Sequence, residues 1–148
     1  MRRMQLRIRM RFVESLRGLA VGAPIDFRGV EFGKVDAVDL EYDERRRRFV
    51  GNVAATVYPW RLGTAYQALR AAPGNGTRLD SEILHRLVED GLRAQLRSGN
   101  LLTGQLYVAL DLMPKAKVTD VQPLAESGTV DIPTEQGSLA QLQTQIAD

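Results

Sequence analysis

Residues able to carry catalytic or metal chemistry are sparse in this sequence. It contains one histidine and no cysteine, so the several converging ligands that zinc or iron requires are missing. His85 shares the polar side of a predicted helix with Ser81 and Glu89, which favours a solvated histidine over a general base. Glu89 and Asp90 are adjacent on that helix and point apart, so they cannot share a proton. We therefore expect a protein that is not an enzyme and that has no metal and no cofactor.

Two segments have some of the features of phosphate-binding sites. Residues 29–35, GVEFGKV, imitate a phosphate-binding loop, but they are one residue short and lack the Ser or Thr that would hold magnesium. Residues 45–48 are consecutive arginines, which could neutralise phosphates of nucleic acid or of lipid head groups. On a hairpin, alternate arginines face opposite ways, and no aromatic residue is interleaved with these for base stacking. We therefore reject a nucleotide site and interpret the arginine run as a solvated turn with acidic residues nearby.

Leu101 and Leu102 have the most informative placement in the chain. They follow a polar turn that contains Gly99, and Gly104 separates them from an apolar strand. Neighbouring side chains of an extended strand point to opposite faces, so both leucines cannot enter one core. The following strand already supplies core residues by alternation. The pattern predicts an apolar tip that contacts an apolar ligand or a partner subunit. The alternative is a buried loop whose leucines fold back under the body of the domain.

The composition indicates one soluble domain. The chain has 148 residues, and its hydrophobic content of 44% and charged content of 26% lie near globular averages. The net charge is +2, and the lack of cysteine excludes disulfides without selecting a compartment. Arginines at positions 7, 9 and 11 rule out an N-terminal signal peptide, and charge-free stretches such as residues 49–60 are shorter than the about 20 residues of a membrane helix. If the protein works at a membrane, we expect its anchor outside this chain.

Alternation and glycine spacing predict a mostly β body. Apolar residues and arginines alternate strictly over residues 6–12, which predicts a half-buried first strand. Residues 35–58 predict one hairpin with the arginine run at its tip. Short strands between these two elements are punctuated by glycines, which we interpret as turn and corner residues needed for backbone shape. These glycines are Gly18, Gly22, Gly29 and Gly33.

Helical spacing is clear at one place in the body. A helix is predicted from Asp80 or Ser81, and its apolar stripe continues beyond residue 90. The stripe consists of Ile83, Leu84, Leu87, Val88, Leu92 and Leu96. Residues 64–72 fit a short helix, residues 72–76 a loop and residues 130–132 a further strand. A C-terminal helix is predicted from about Ser138, with Leu139, Leu142 and Ile146 on one face.

Two long motifs, in this order, resemble those of a known family. They are RGLxxGAPIxFRGVxxGxV at residues 17–35 and LVxxGLRAQLxSGxLLTGQ at residues 87–105. The chain is similar to MCE (mammalian cell entry) domains over residues 6–113, and most similar to the later MCE domains of paraquat-inducible protein B. The resemblance implies a seven-stranded MCE-type β-barrel with one amphipathic helix in the body. We expect this domain over residues 1–133 and the start of a C-terminal helical extension over residues 134–148.

The resemblance also implies a function. Such domains assemble as hexameric rings, an N-terminal helix anchors the full-length protein in the inner membrane, and phospholipids are carried across the periplasm. The pore-lining loop of the family corresponds to Leu101 and Leu102 in this chain, with Gly99 and Gly104 shaping the loop. Expected partners are phospholipid, further copies of the chain and inner-membrane proteins, and no nucleic acid. The alternative function is a monomeric peripheral module that binds acidic lipid head groups or nucleic acid with its arginine tip.

Overall fold

The computed structural model describes residues 5–71 and 80–136. Within these ranges the chain forms a mostly β fold with two α-helices, as the sequence predicted. The strands are β1 (Leu6–Phe12), β2 (Pro24–Phe27), β3 (Val30–Asp43), β4 (Arg48–Val57), β5 (Leu92–Asn100), β6 (Gln105–Leu112) and β7 (Val130–Asp131). The helices are α1 (Thr64–Arg70) and α2 (Asp80–Glu89), with 3-10 helices at Pro59–Leu62 and Val118–Asp120. The predicted loop at residues 72–76 and the predicted C-terminal helix from about Ser138 lie outside the described residues.

All seven described strands belong to one sheet. Its order is β5-β6-β2-β3-β4-β1-β7, and neighbours are antiparallel except for the parallel pairs β2–β6 and β1–β7. The sheet is not closed by a continuous ladder. Instead, the chain after β7 reaches β5, where the Ala94 amide donates to the Pro133 carbonyl and the Glu135 amide donates to the Ala94 carbonyl, both at 2.9 Å. Two backbone hydrogen bonds thus join the edges, where the sequence resemblance implied a complete barrel.

The core lies on the inner face of this sheet, beneath α2. The alternation predicted for β1 is confirmed, because Ile8, Met10 and Phe12 are at most 1% exposed while the arginines between them face outward. From α2, Leu84 and Val88 pack into the same apolar cluster. Burial of each large apolar side chain contributes roughly 1.5–3 kcal/mol, so this cluster is the main source of stability.

The sequence predicted a helix that is longer than the one observed. Helix α2 ends at Glu89, and Leu92 and Leu96 lie on strand β5 instead. Gly91 makes the change of direction with φ +114°, and a Cβ at this position would lie 2.5 Å from the Met113 carbonyl oxygen. The prediction was wrong because the four-residue spacing of residues 88, 92 and 96 fits one face of a helix and also one face of a strand.

Arg93 secures this change from helix to strand. Its side chain is buried, and its guanidinium donates to the carbonyls of Val88 (3.0 Å), Leu92 (2.8 Å) and Lys117 (2.7 Å). The last carbonyls of a helix have no partner within the helix, and a cation beside them is favourable. Arg93 therefore ends α2 and ties it to the chain that follows β6.

Candidate functional site

The two adjacent leucines occupy the tip of the β5–β6 hairpin. Strands β5 and β6 pair antiparallel up to Asn100 and Gln105, and residues 101–104 form the turn between them. Leu101 is 87% exposed and Leu102 is 98% exposed. The alternative of a buried loop is therefore wrong for this chain by itself. The neighbouring strand β6 supplies Val108 and Leu110 to the core, as its alternation predicted, although Leu112 at its end is exposed.

Polar groups on both sides of the leucines hold the turn in place. The Asn100 side-chain oxygen accepts from the amides of Leu102 (3.0 Å) and Thr103 (3.4 Å), and the Asn100 carbonyl accepts from the Gly104 amide (2.9 Å). The Thr103 hydroxyl accepts from the Gln105 amide at 3.4 Å. These bonds occupy the amides of Leu102, Thr103 and Gly104 and leave both leucine side chains exposed. Our sequence interpretation missed Asn100, although asparagine is a residue that commonly caps turns in this way.

The two glycines predicted to shape the loop have different roles. Gly104 has φ +75°, a conformation that side-chain-bearing residues rarely adopt. Gly99 lies at the irregularity in the β5–β6 register between Ser98 and Asn100. A Cβ at Gly99 would make an ordinary contact with the Tyr107 ring at 3.4 Å, so this position does not require glycine on steric grounds.

Gly18 braces the base of the hairpin, a role that the sequence did not indicate. Its carbonyl accepts from the Leu106 amide at 2.9 Å, and its φ is +94°. A Cβ at this position would overlap the carbonyl oxygen of Gly104. The turn after β1 is therefore packed directly against the backbone from which the leucines project.

The other predicted turn glycines lie away from the tip. Gly22 and Gly29 are in turns with φ +91° and +94°, as predicted, and a Cβ at either position would meet no neighbour. Gly33 lies inside β3 rather than in a turn. A Cβ there would overlap the Thr56 carbonyl oxygen and lie 2.8 Å from the Val57 Cα, so Gly33 allows a close approach of β3 to β4.

His85 has partners instead of being solvated. Its Nε2 donates to the Gln122 carbonyl at 2.9 Å, and its Nδ1 lies 3.5 Å from a Glu89 carboxylate oxygen. In the described part of the chain, no group of three or more His, Cys, Asp or Glu side chains is placed to hold a metal ion. The helices among residues 5–71 and 80–136 include none with the length and apolar character needed to cross a membrane.

The fold and this site define a small, mostly β domain that displays an apolar hairpin tip. A sequence model of the family described as MlaD protein matches residues 5–112, and the chain belongs to this family. The match covers both motifs from which the MCE resemblance was inferred, so that resemblance is confirmed at the level of the family. Proteins of the family are components of lipid transport in the cell envelope and are not enzymes.

The solved structures similar to this chain include one from Acinetobacter. It is described as "Acinetobacter MlaFEDB complex in ATP-bound Vtrans1 conformation". The similarity covers 96% of this chain and 81% of the matched chain, with 16% sequence identity and a TM-score of 0.48.

Proposed function

We propose that this chain is a domain of a cell-envelope lipid transporter in which copies form a ring around an apolar pore for phospholipids. The observation that carries the proposal is the exposure of Leu101 and Leu102 on a turn whose own backbone is held by polar groups. Burying a leucine is favourable by roughly 1.5–3 kcal/mol, so a tip with two leucines in water is well suited to an apolar ligand or partner.

Lipid tails explain why an apolar lining is needed. Each methylene exposed to water costs about 0.8 kcal/mol, so a phospholipid needs an apolar passage to cross an aqueous compartment. Two leucines are too few to line one. Rotational symmetry repeats them around a common axis, and the repeated tips form an apolar collar. Transport then passes between subunits, while the interior of each subunit is packed core.

The finer features of the proposal come from the sequence resemblance. We infer a hexameric ring, anchored in the inner membrane by a segment outside the described residues and extending into the periplasm. The motifs at residues 17–35 and 87–105 support a place among the later MCE domains of paraquat-inducible protein B. The partners are phospholipid, identical subunits and inner-membrane proteins, with no role for nucleic acid.

Crosslinking at the tip tests this proposal. A photo-crosslinking residue is placed at position 101 or 102 of the full-length protein in cells that contain labelled phospholipid. Val118, which is 72% exposed and lies on a 3-10 helix away from the tip, is the matched control position. We expect labelled lipid at positions 101 and 102 and little at 118. Lipid at position 118 with none at the tip would overturn the assignment.

Salt dependence separates the pore from the alternative function. A monomeric module that binds acidic surfaces through its arginine tip would lose binding steeply as salt increases. Contact between lipid tails and an apolar collar is nearly indifferent to salt, so crosslinking at positions 101 and 102 should persist at high ionic strength.

A further inference from the structure

A second surface feature lies on the outer face of the sheet. An open cleft of about 800 Å³ is bounded by β1, by the end of the β3–β4 hairpin and by the chain that follows β7. Five arginines contribute to its lining: Arg9, Arg11, Arg45, Arg46 and Arg48. The proposed pore does not use any of them.

Strand register explains why these arginines come together. The alternation of β1 directs Arg9 and Arg11 away from the core. Arg11 is paired with Asn52 on β4, and Arg48 lies four residues earlier on the same strand, so both side chains are on the outer face. The tip of the hairpin then adds Arg45 and Arg46. The period-two pattern thus places arginines of two strands and a turn on one basic surface.

Some of this positive charge is already neutralised. Arg9 makes a two-pronged ion pair with Asp131, with nitrogen–oxygen distances of 3.0 and 3.3 Å, and Arg11 pairs with Glu41 at 3.0 Å. These two pairs hold one wall of the cleft in a fixed position. They also leave the other arginines as its available donors.

Arg45, Arg46 and Arg48 have no carboxylate partner for their guanidinium groups among the described residues. The nearby Asp43 carboxylate accepts from the backbone amides of Arg45 (3.1 Å) and Arg46 (3.3 Å) and so shapes the turn. The Nε of Arg48 is buried and has no hydrogen-bond partner among the described residues. A buried charged donor without an acceptor is unfavourable, and a turn of the guanidinium toward the cleft would let this nitrogen donate to an anion there.

We propose that this cleft binds a single phosphate group, carried by an anionic phospholipid head group or by a small soluble phosphate ester. Arginine offers paired donors that match the oxygens of phosphate. The carboxylates of Asp43 and Asp131 line the same cleft and disfavour a continuous polyanion, and no aromatic side chain among the described residues lines it to stack on bases. The cleft therefore fits one phosphate better than a nucleic acid strand. This proposal does not depend on the ring or on the apolar tip.

Vesicle binding by the purified chain tests the site. Vesicles of phosphatidylcholine with phosphatidic acid are compared with vesicles of phosphatidylcholine alone, and inorganic phosphate is added as competitor. We expect binding only to the vesicles that contain phosphatidic acid, with displacement by phosphate. The double variant R45Q/R48Q should weaken this binding by about tenfold or more, because hydrogen bonds to charged groups are lost. The matched control is the double variant R7Q/R17Q, which removes two arginine charges at exposed positions outside the cleft.

Each outcome has a defined meaning. Binding to the phosphatidic acid vesicles that is displaced by phosphate assigns the site to a lipid head group. Binding of inorganic phosphate without any vesicle binding assigns the site to a soluble phosphate ester. The proposal is overturned if R45Q/R48Q binds like the unchanged protein, or if R7Q/R17Q weakens binding equally. Tighter binding to a single-stranded oligonucleotide than to phosphate would also overturn it. Thermal denaturation of each variant checks that the fold is retained. The crosslinking test of Leu101 and Leu102 is a separate experiment, so the pore and the cleft can fail independently.

Discussion

At the scale of the residue, Asn100 and Gly18 place the two leucines. Strand alternation predicted that at least one of Leu101 and Leu102 points outward, because neighbouring strand residues cannot share a face, and it left a buried loop as the alternative. Both side chains are exposed because residues 101–104 form a turn instead of a strand. The hydrogen bonds of Asn100 could have been expected from its preference for turns, but the contact between Gly18 and Gly104 could not. That contact joins residues far apart in the sequence, and no local pattern reports it. Glycine at position 18 indicates only a special backbone conformation.

Leu102→Asp should separate function from stability. Since Leu102 is 98% exposed, the free energy of unfolding should change by no more than about 0.5 kcal/mol. Lipid crosslinking from position 101 should nevertheless be lost, because a charge would enter the apolar collar. Urea denaturation and the crosslinking assay measure the two effects. Leu110→Ala is the control for core damage, with an expected loss of about 2–5 kcal/mol. A loss of that size in Leu102→Asp would contradict the exposed placement.

Gly18→Ala should destabilise the protein more than Gly22→Ala. Both positions have positive φ, which costs a side-chain-bearing residue about 1–2 kcal/mol. Only the Cβ at position 18 also overlaps a backbone oxygen, so we expect its total to exceed that of Gly22→Ala by about 1 kcal/mol or more. Equilibrium urea unfolding of the two variants makes the comparison. Equal losses would show that Gly18 does not brace the hairpin.

At the scale of the element, β1 shows that strict alternation of apolar and polar residues predicts a strand together with its ends. Its bounds, Leu6–Phe12, match the alternating segment. The predicted hairpin at residues 35–58 includes all of β4, but β3 begins at Val30, five residues before the predicted start. Helix α2 was predicted too long, since the apolar spacing continues unchanged into β5. The end of the helix depends on Gly91 and on the buried Arg93, whose carbonyl partners include one contributed by Lys117. An arginine on an amphipathic segment is ordinarily expected at the surface, so its sequence context concealed this role.

Arg93→Met should cost about 3 kcal/mol of unfolding free energy. The substitution retains an apolar stem but removes three charge-assisted hydrogen bonds, to the carbonyls of Val88, Leu92 and Lys117. Arg97→Met on the exposed part of the same strand should change stability by no more than about 0.5 kcal/mol. Thermal and urea denaturation of both variants test the difference. Similar losses at the two positions would show that the buried bonds contribute little.

At the scale of the whole molecule, the sheet is joined at its edges by very few contacts. The strand content and the position of β7 could be predicted, but the incomplete closure could not. Strand β7 has two residues, and its pairing to β1 joins segments that are far apart in the chain, which no local pattern reports. The division into a domain at residues 1–133 and a helical extension stays a prediction.

Asp131→Asn should weaken the attachment of β7 to β1 only slightly. The ion pair with Arg9 is partly exposed, so the expected loss is about 1 kcal/mol or less. The hydrogen bond to Asp131 raises the pKa of Arg9, and burial opposes this effect in part. A raised folded-state pKa stabilises the fold below the ordinary pKa of arginine, and this stabilisation is lost only as the pH rises through the raised value. Urea unfolding at neutral and mildly alkaline pH should give the same small loss, and a strongly pH-dependent difference across this range would contradict it.

The turn at residues 101–104 is held by hydrogen bonds of main-chain atoms and of the Asn100 side chain, and the side chains of its two leucines take no part in them. Their identity can consequently vary during evolution without rebuilding the scaffold. In the proposed ring, bulkier or smaller substitutes would alter the width of the pore and the lipids it admits, and related transporters could diversify in selectivity through these two codons alone.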